Sequence, residues 1–235
     1  GKDDFIFRII SDSKQEQQAI AEYVNQLKGS KLLIIQDDGN SAYTEPAFKY
    51  FSEALKLSGK WTITQKIITI SKFKPDDFKT IFEQEYDVLY ILGGSFQSSI
   101  GNIAQYFHLF HPHSPIILTP WARSASILDI SGPALANIIL TSSFPANSES
   151  DYLKDYITRF KNRFSYSPHS MNYCVRQAME LMDQAFQQGC KTPLEVKRYF
   201  LSKPVHHTTL GDISFDQYGD VKQKYYFIRN LESEF

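Results

Sequence analysis

Short apolar runs alternate with segments of helical period along the first 141 residues. The strand-length runs are "KLLIIQ" (31–36), "WTITQKIITI" (61–70), "DVLYIL" (87–92), "PIILT" (115–119) and "NIILT" (137–141). In the segments between them, apolar residues recur every three or four positions, as on one face of a helix. This β-α-β-α alternation predicts an α/β fold with a doubly wound parallel sheet, covered by helices on both faces.

The pattern of apolar residues changes after Phe144, where strand-length runs give way to three predicted amphipathic helices and two short strands, "GDISFD" and "KYYFIRN". Three helices with almost no sheet beneath them form an incomplete layer. One apolar stripe on the second helix is therefore expected to need a neighbouring molecule, which predicts self-association. This stripe consists of Cys174, Ala178, Leu181, Met182 and Ala185.

The charge composition narrows the class of partner. The chain has 25 basic and 26 acidic residues and a formal net charge of −1. It therefore has no excess of positive charge with which to bind nucleic acid or an anionic membrane. No apolar run approaches the roughly 18 residues that span a bilayer. We expect neither nucleic acid nor a membrane surface as a partner.

The carboxyl ends of the predicted strands carry the candidate site residues, because ligands of open parallel sheets bind beyond those ends. They are Ser41 and Tyr43 after the first strand, Ser95 and Phe96 after the strand at 87–92, and Trp121 and Arg123 after the strand at 115–119. Three aromatic rings with polar handles at one edge predict a pocket for a small polar or amphipathic solute.

Each of these residues also has a purely structural interpretation. Tyr43 can cap a helix, and Phe96 can cover the edge of the sheet. Arg123 can be a solvated or ion-paired loop residue. The set counts for more than any member, because three aromatic residues at three successive strand ends are less expected by chance than one.

Catalytic and metal sites find no support in the sequence. Asp37 and Asp38 follow the first strand, but neighbouring strand ends supply neither a third carboxylate nor a lysine, so the pair is predicted to be solvated loop charge. His108, His111 and His113 lack an acidic or cysteine partner at metal-ligand spacing. No nucleophile elbow, phosphate-binding loop or dinucleotide fingerprint occurs. We therefore expect no enzyme activity, no cofactor and no metal.

Three stretches of the chain carry a family resemblance. They are "FRIISDSKQEQQAIAEYV", "LTPWARSASILDISGPALANIILTSSFP" and "GDISFDQYGDVKQKYYFIRN". Together they resemble the type 1 periplasmic solute-binding proteins, the branched-chain amino-acid-binding group of ABC importers. The last stretch is the most specific, since residues 211–220 match the family pattern G-x-I-x-F-D-x-x-G-D.

The resemblance implies the periplasmic-binding-protein type 1 fold, in which two Rossmann-like lobes close on a ligand. It divides the chain into a hinge segment at 1–10, a complete lobe at 11–142, a partial other lobe at 143–222 and a return strand at 223–235. The first part of that other lobe precedes "FRIISD" in the family and is absent here.

The implied function is capture of a small polar or amino-acid-like solute, without catalysis, by a periplasmic or extracellular protein that serves the membrane permease of an ABC importer. Tyr43 matches a position that packs on the ligand, and Ser95 and Phe96 match a loop that lines the cleft. Trp121 stands near the place where amino-acid-binding members have an acidic residue for the α-ammonium group. With Arg123 nearby, this favours a planar or carboxylate-bearing solute.

Two other classes share the architecture. One is the ligand-sensing ectodomain of a signalling receptor, which a following transmembrane segment would identify. The other is the effector domain of a transcription regulator, which would need a DNA-binding head. Flavodoxin-like enzymes are a more remote alternative.

Overall fold

The computed structural model describes residues 3–94 and 98–235. The chain divides into two compact units, which we describe separately. The sheet unit comprises Ser13–Ala146 and Tyr225–Phe235, and the helical unit comprises Gly1–Asp12 and Asn147–Lys224. Most of the lobe predicted at 11–142 therefore falls in the sheet unit.

Strands and helices follow the predicted order. The strands are β1 (Lys31–Asp37), β2 (Thr62–Ile68), β3 (Val88–Leu92), β4 (Ile116–Leu118), β5 (Ile138–Ser142), β6 (His206–Thr208), β7 (Gly211–Ile213) and β8 (Tyr226–Ile228). The helices are α1 (Ser13–Gln26), α2 (Ser41–Lys56), α3 (Lys79–Phe82), α4 (Ser98–Phe110), α5 (Ser126–Ile130), α6 (Asp151–Phe164), α7 (Ser170–Gln187) and α8 (Pro193–Ser202).

The sheet unit contains a six-stranded sheet in the order β2-β1-β3-β4-β5-β8. Strands β1 to β5 pair in parallel, and β8 joins the edge antiparallel to β5, with Leu140 opposite Ile228. The predicted α/β fold with a parallel sheet is confirmed. A single antiparallel edge strand is common on sheets of this kind.

Helices cover both faces of this sheet, which explains the apolar runs of its central strands. Successive side chains of a strand point to opposite faces. Leu32 and Ile34 of β1 pack with α1 and α2, whereas Leu33 and Ile35 pack with α3, α4 and α5 on the other face. All four side chains are fully buried.

In the helical unit, local sequence signals fix where helices begin. The Ser150 hydroxyl accepts a hydrogen bond from the backbone N–H of Leu153 and so caps α6. Helix α8 begins with Pro193 behind a capping box in which Thr192 and Glu195 satisfy each other's backbone N–H groups. Strands β6 and β7 form an antiparallel hairpin after α8.

The prediction that the apolar stripe of α7 through Leu181 and Ala185 needs cover from a neighbouring molecule is wrong. Leu181 and Ala185 are buried in a cluster with Phe200, Ile213 and Val221, so α8, β7 and the segment after it supply the cover that sequence reasoning assigned to a neighbour. The apolar side chains of α7 that do face solvent lie on a different stripe. They are Met171, Val175, Met179 and Phe186.

Candidate functional site

Two of the predicted site residues, Tyr43 and Trp121, meet at the carboxyl edge of the sheet. Tyr43 lies in the first turn of α2, which is tied to the end of β1 by a 2.6 Å hydrogen bond from the Thr44 hydroxyl to the carbonyl oxygen of Asp37. Trp121 lies in the 3₁₀ turn Pro120–Ala122, directly after β4. The two rings meet edge to face, with centroids 6.1 Å apart and planes at 77°.

A buried polar network lies against this aromatic pair. Oε1 of Glu16, in the first turn of α1, accepts hydrogen bonds from the Tyr43 hydroxyl and from Nε2 of Gln17, the latter at 2.9 Å. The side-chain Oε1 of Gln17 accepts a 2.8 Å hydrogen bond from the hydroxyl of Tyr90 on β3. We call these five residues, Glu16, Gln17, Tyr43, Tyr90 and Trp121, the Glu16 cluster.

Glu16 is only 4% exposed, and this burial raises the pKa of its carboxyl group from 4.5 to about 7. Hydrogen bonds from Tyr43 and Gln17 and the nearby indole of Trp121 oppose that rise. The indole Nε1 is itself buried and faces the carboxyl group without reaching full hydrogen-bond geometry. Burial also raises the pKa values of Tyr43 and Tyr90 well above the ordinary value, so both phenols stay protonated donors.

The segment after β3 is tied to the turn after β4 and lies close to the start of α2. The Thr119 hydroxyl donates a 2.8 Å hydrogen bond to the carbonyl oxygen of Gly93 and so joins the ends of β4 and β3. A Cβ atom at Gly94 would lie 2.3 Å from Nδ2 of Asn40 and 3.0 Å from Cδ1 of Tyr43. Gly94 therefore lacks a side chain where α2 passes it.

The other predicted site residues have different surroundings. Ser41 is exposed at the first position of α2. Ser95 and Phe96 lie outside the described residues. Their binding roles stay predictions.

Arg123 is buried and pairs with Glu234 near the C-terminus. Its Nη2 lies 3.2 Å from Oε2 of Glu234 and also donates a 3.4 Å hydrogen bond to that residue's backbone oxygen. The two side chains are 3% and 0% exposed, and the guanidinium lies 5.3 Å from the ring centroid of Phe235. The structure thus shows the ion-paired alternative for Arg123, and its ligand role stays a prediction.

The stretch "SKQE" (13–16) fits a capping box, so the sequence indicated only a capping role for Glu16 and not its place in the site. A signal was available, because Glu16 precedes Ile20 and Val24 at intervals of four residues and so shares the inward face of α1. A carboxylate on an apolar stripe calls for a buried polar partner.

The acidic pair after β1 differs from prediction at one position. Asp38 is exposed, but Asp37 is buried, and its Oδ1 accepts hydrogen bonds from the backbone N–H groups of Gly39 and Ile70 at 3.1 and 3.0 Å. The carboxylate of Asp37 thus joins the end of β1 to the turn after β2. The prediction that Asp37 is solvated is therefore wrong.

The residues that the structure describes contain neither a metal-binding group of side chains nor a membrane-spanning helix. Within residues 3–94 and 98–235, no three His, Cys, Asp or Glu side chains are grouped so as to hold a metal ion. His111 instead bonds the backbone oxygen of Phe82 at 2.8 Å, and burial lowers its pKa. No helix within those ranges is long and apolar enough to cross a membrane.

Comparison with known proteins reveals likeness in structure alone. No protein-family model and no curated protein sequence matches the chain. The chain is similar to the leucine binding protein of Thermotoga maritima, with 14% identity and a TM-score of 0.75 over 93% of this chain and 63% of that one. It is also similar to the branched-chain amino acid transporter substrate binding protein of Streptococcus pneumoniae in complex with isoleucine, with 17% identity and a TM-score of 0.72 over 93% and 62% of the two chains.

A third similar structure is a solute binding protein of an ABC transporter from Rhodopseudomonas palustris in complex with 3,4-dihydroxybenzoic acid. It shares 16% identity and a TM-score of 0.73 over 92% of this chain and 60% of that one. The chain spans 60 to 65% of the length of the solved structures that it matches. It therefore has, over that part of their length, the type 1 fold of the solute-binding proteins of ABC transporters.

Proposed function

We propose that this chain is the solute-binding part of an extracytoplasmic binding protein of an ABC-type importer, which captures a small polar or amino-acid-like solute. The observation that carries the proposal is the edge-to-face pair of Tyr43 and Trp121 at the carboxyl edge of the sheet. In sheets of this class that edge is where ligands bind. The ring faces offer apolar surface to a small solute, and the polar groups of Glu16 and Gln17 lie beside them.

The bound molecules of the similar structures set the expected size. The Streptococcus pneumoniae protein is in complex with isoleucine, and the Rhodopseudomonas palustris protein is in complex with 3,4-dihydroxybenzoic acid. Both are small solutes with one apolar part and one carboxylate. A solute of that size fits against two aromatic rings with buried polar groups beside them.

The proposed cycle is reversible capture without a chemical step. The protein works in the periplasm or outside the cell and delivers its solute to a membrane permease. The binding free energy comes from stacking, from hydrogen bonds to the site and from exclusion of water.

The test begins with mass spectrometry of small molecules released from the purified protein, followed by calorimetry with the molecule identified. Trp121→Ala and Tyr43→Ala should each weaken binding by about tenfold or more, as truncation of an aromatic anchor commonly does. Trp61→Ala is the matched control, because Trp61 precedes β2 and so lies at the amino ends of the strands, away from Tyr43 and Trp121. Its indole N–H donates a 3.1 Å hydrogen bond to Oδ1 of Asn25. Release of no small molecule, or equal losses from all three variants, would contradict the proposal.

A further inference from the structure

Helix α6 carries an aromatic stripe and a basic stripe side by side. The aromatic residues recur at every fourth position and so lie on one side of the helix. They are Tyr152, Tyr156, Phe160 and Phe164. Arg159 and Arg163 each precede a ring of this stripe by one position, and they too are four residues apart. The sequence of α6 thus places guanidinium groups next to aromatic rings.

Both stripes line a groove of about 440 Å³ between α6 and α7. Arg176 of α7 and Thr209, in the turn of the β6–β7 hairpin, also line it. Three of the seven arginines in the chain therefore lie in this one groove, although the formal net charge of the whole chain is −1. Positive charge is concentrated here beside an aromatic wall.

Arg163 has no acidic partner among the residues that the structure describes. The guanidinium groups of Arg159 and Arg176 are each paired with a carboxylate four residues away on the same helix. In residues 3–94 and 98–235, no carboxylate forms such a pair with Arg163, whose guanidinium carbon lies 5.6 Å from the ring centroid of Phe164. The groove thus keeps one positive charge that its own carboxylates do not balance.

The outer rings of the aromatic stripe are exposed. Tyr152 is 71% exposed and Phe164 is 47% exposed, whereas the two rings between them are half-buried. The fully buried contact of α6 comes instead from Leu153 and Ile157. The packing of α6 therefore does not account for the outer rings. Exposed Tyr, Phe and Arg side chains gathered in a concave surface are typical of the centre of a protein interface.

The length of the stripe fits a short extended peptide. From Tyr152 to Phe164 the helix rises by roughly 18 Å, at about 1.5 Å per residue. About five or six residues of extended chain cover the same distance, at about 3.3 Å per residue. Such a segment could place carboxylates on the arginines and an aromatic side chain between the rings, because guanidinium groups bind carboxylates and also stack on aromatic faces.

Exposed carboxylates on the same helix argue against an anionic membrane as the partner. Asp151 and Asp155 both have largely exposed side chains on α6. A flat anionic surface would meet these aspartates together with the arginines, and like charges repel. A narrow peptide can contact the arginines of the groove and leave the aspartates in water.

We infer that the groove between α6 and α7 is a docking site for an extended acidic segment of a partner protein. Carboxylates of the segment bind the three arginines, and an aromatic side chain packs between the rings of α6. Arg163 gains most from such a partner, because it has no carboxylate of its own. The inference goes beyond the proposed function and does not depend on it, since the groove belongs to the helical unit and the pair of Tyr43 and Trp121 to the sheet unit.

The test is calorimetry of the whole chain with the acetylated and amidated peptide EFEEFE. The control is KFKKFK, which has the same aromatic residues and the opposite charge. EFEEFE should bind, and its affinity should fall as sodium chloride is raised, because salt screens exposed charges. KFKKFK should not bind. Equal binding of the two peptides, or binding of neither, would overturn the inference.

Arg163→Gln and Arg198→Gln form a matched pair for this experiment. Each removes one exposed guanidinium group from the helical unit, but Arg198 lies on α8, outside the groove. Arg163→Gln should weaken EFEEFE by about threefold or more, as expected for the loss of an exposed charge pair. Arg198→Gln should leave the affinity unchanged. Wild-type affinity in Arg163→Gln would assign the binding to another surface and refute the docking site.

Asp155→Asn has an expected effect of the opposite sign. This change frees Arg159 from its partner, so EFEEFE should bind more tightly, which a merely damaged protein would not do. Asp151→Asn is the control, because it frees Lys154, which does not line the groove. Asp155→Asn should therefore raise the affinity more than Asp151→Asn. Equal or lower affinity in Asp155→Asn would contradict a role for Arg159 in the groove.

Two further measurements separate the other occupants. Co-sedimentation with vesicles of phosphatidylglycerol and phosphatidylcholine tests the membrane, and binding to these vesicles without binding to EFEEFE would overturn the inference. Sedimentation velocity with and without EFEEFE tests a second copy of the chain. The peptide should leave the association state unchanged, and dissociation of a dimer by the peptide would assign the groove to a second copy instead.

Discussion

Arg123 and Glu234 form an ion pair from which water is excluded, with Nη2 and Oε2 3.2 Å apart. The pair joins the turn after β4 to the C-terminal turn Leu231–Glu234, and the ring of Phe235 lies beside the guanidinium. A charge pair in this position holds the C-terminal segment against the rest of the sheet unit. It also gives Arg123 a structural role at a place where the sequence predicts a ligand contact.

Arg123→Ala should therefore reduce stability more than it reduces binding. Removal of one partner from a buried pair typically costs about 3 to 5 kcal/mol, because the other charge stays buried. The measurement is chemical denaturation of the variant and the wild type. Lys31→Ala is the control, since it breaks the exposed 2.8 Å pair with Glu85 and should change the stability little. If Arg123→Ala keeps wild-type stability but loses solute binding, Arg123 is a ligand residue after all.

Glu16→Gln should stabilise the protein at high pH and not at low pH. The folded-state pKa of about 7 lies above the ordinary value of 4.5, so the folded state binds the proton more tightly and loses stability as the pH rises toward 7. The full difference corresponds to roughly 3 kcal/mol, and the neutral amide does not incur it. Thermal unfolding should thus show a higher Tm for Glu16→Gln at pH 8 and little difference near pH 4.5. A pH-independent difference, like that expected for the exposed Glu22→Gln, would contradict this assignment.

The sheet was predictable from sequence because its central strands are buried on both faces. Runs such as residues 31–36 and 87–92 are apolar without alternation, and the segments between them keep a helical period. The site was predictable in part for the same reason, because strand ends are fixed once the strands are known. That argument placed Tyr43 and Trp121 at one edge, and the structure brings their rings together.

The Glu16 cluster was not predictable in the same way. Its members come from α1, α2, β3 and the turn after β4, and no local pattern encodes which side chains meet. Glu16 has an adequate local explanation as a capping residue, which hid its tertiary role. The same limit applies to Arg123, because its partner Glu234 lies 111 positions away in the chain.

The apolar stripe on α7 made by Met171, Val175, Met179 and Phe186 should promote self-association, which the sequence predicted for a different stripe of the same helix. Val175 and Met179 are 58% and 64% exposed, and adjacent exposed apolar side chains favour contact with a second copy. Sedimentation velocity across a concentration series should detect the association, and Met179→Glu should weaken it. Leu109→Glu is the control, since Leu109 is a single exposed apolar residue on α4. A protein that stays monomeric at high micromolar concentration would contradict this prediction.

Gly94→Ala should weaken solute binding while leaving most of the fold intact. A methyl group at this position would lie 2.3 Å from Nδ2 of Asn40 and 3.0 Å from Cδ1 of Tyr43, so these two side chains at the start of α2 must shift. That movement displaces the Tyr43 ring from Trp121 and the hydroxyl from Glu16, and a small misplacement of a binding group is enough to lower affinity.

Gly59→Ala is the control for Gly94→Ala, because Gly59 has no neighbour within 4 Å of a Cβ atom and its positive φ of 64° makes the cost purely one of backbone strain. Gly59→Ala should therefore lower the Tm without changing the affinity for the identified solute. Gly94→Ala should lower the affinity by about tenfold and shift the emission of Trp121 in the Trp61→Phe background, as expected for altered ring packing. If Gly94→Ala binds the solute as tightly as the wild type, Tyr43 does not need its observed position, and the aromatic pair is a cover for the edge of the sheet.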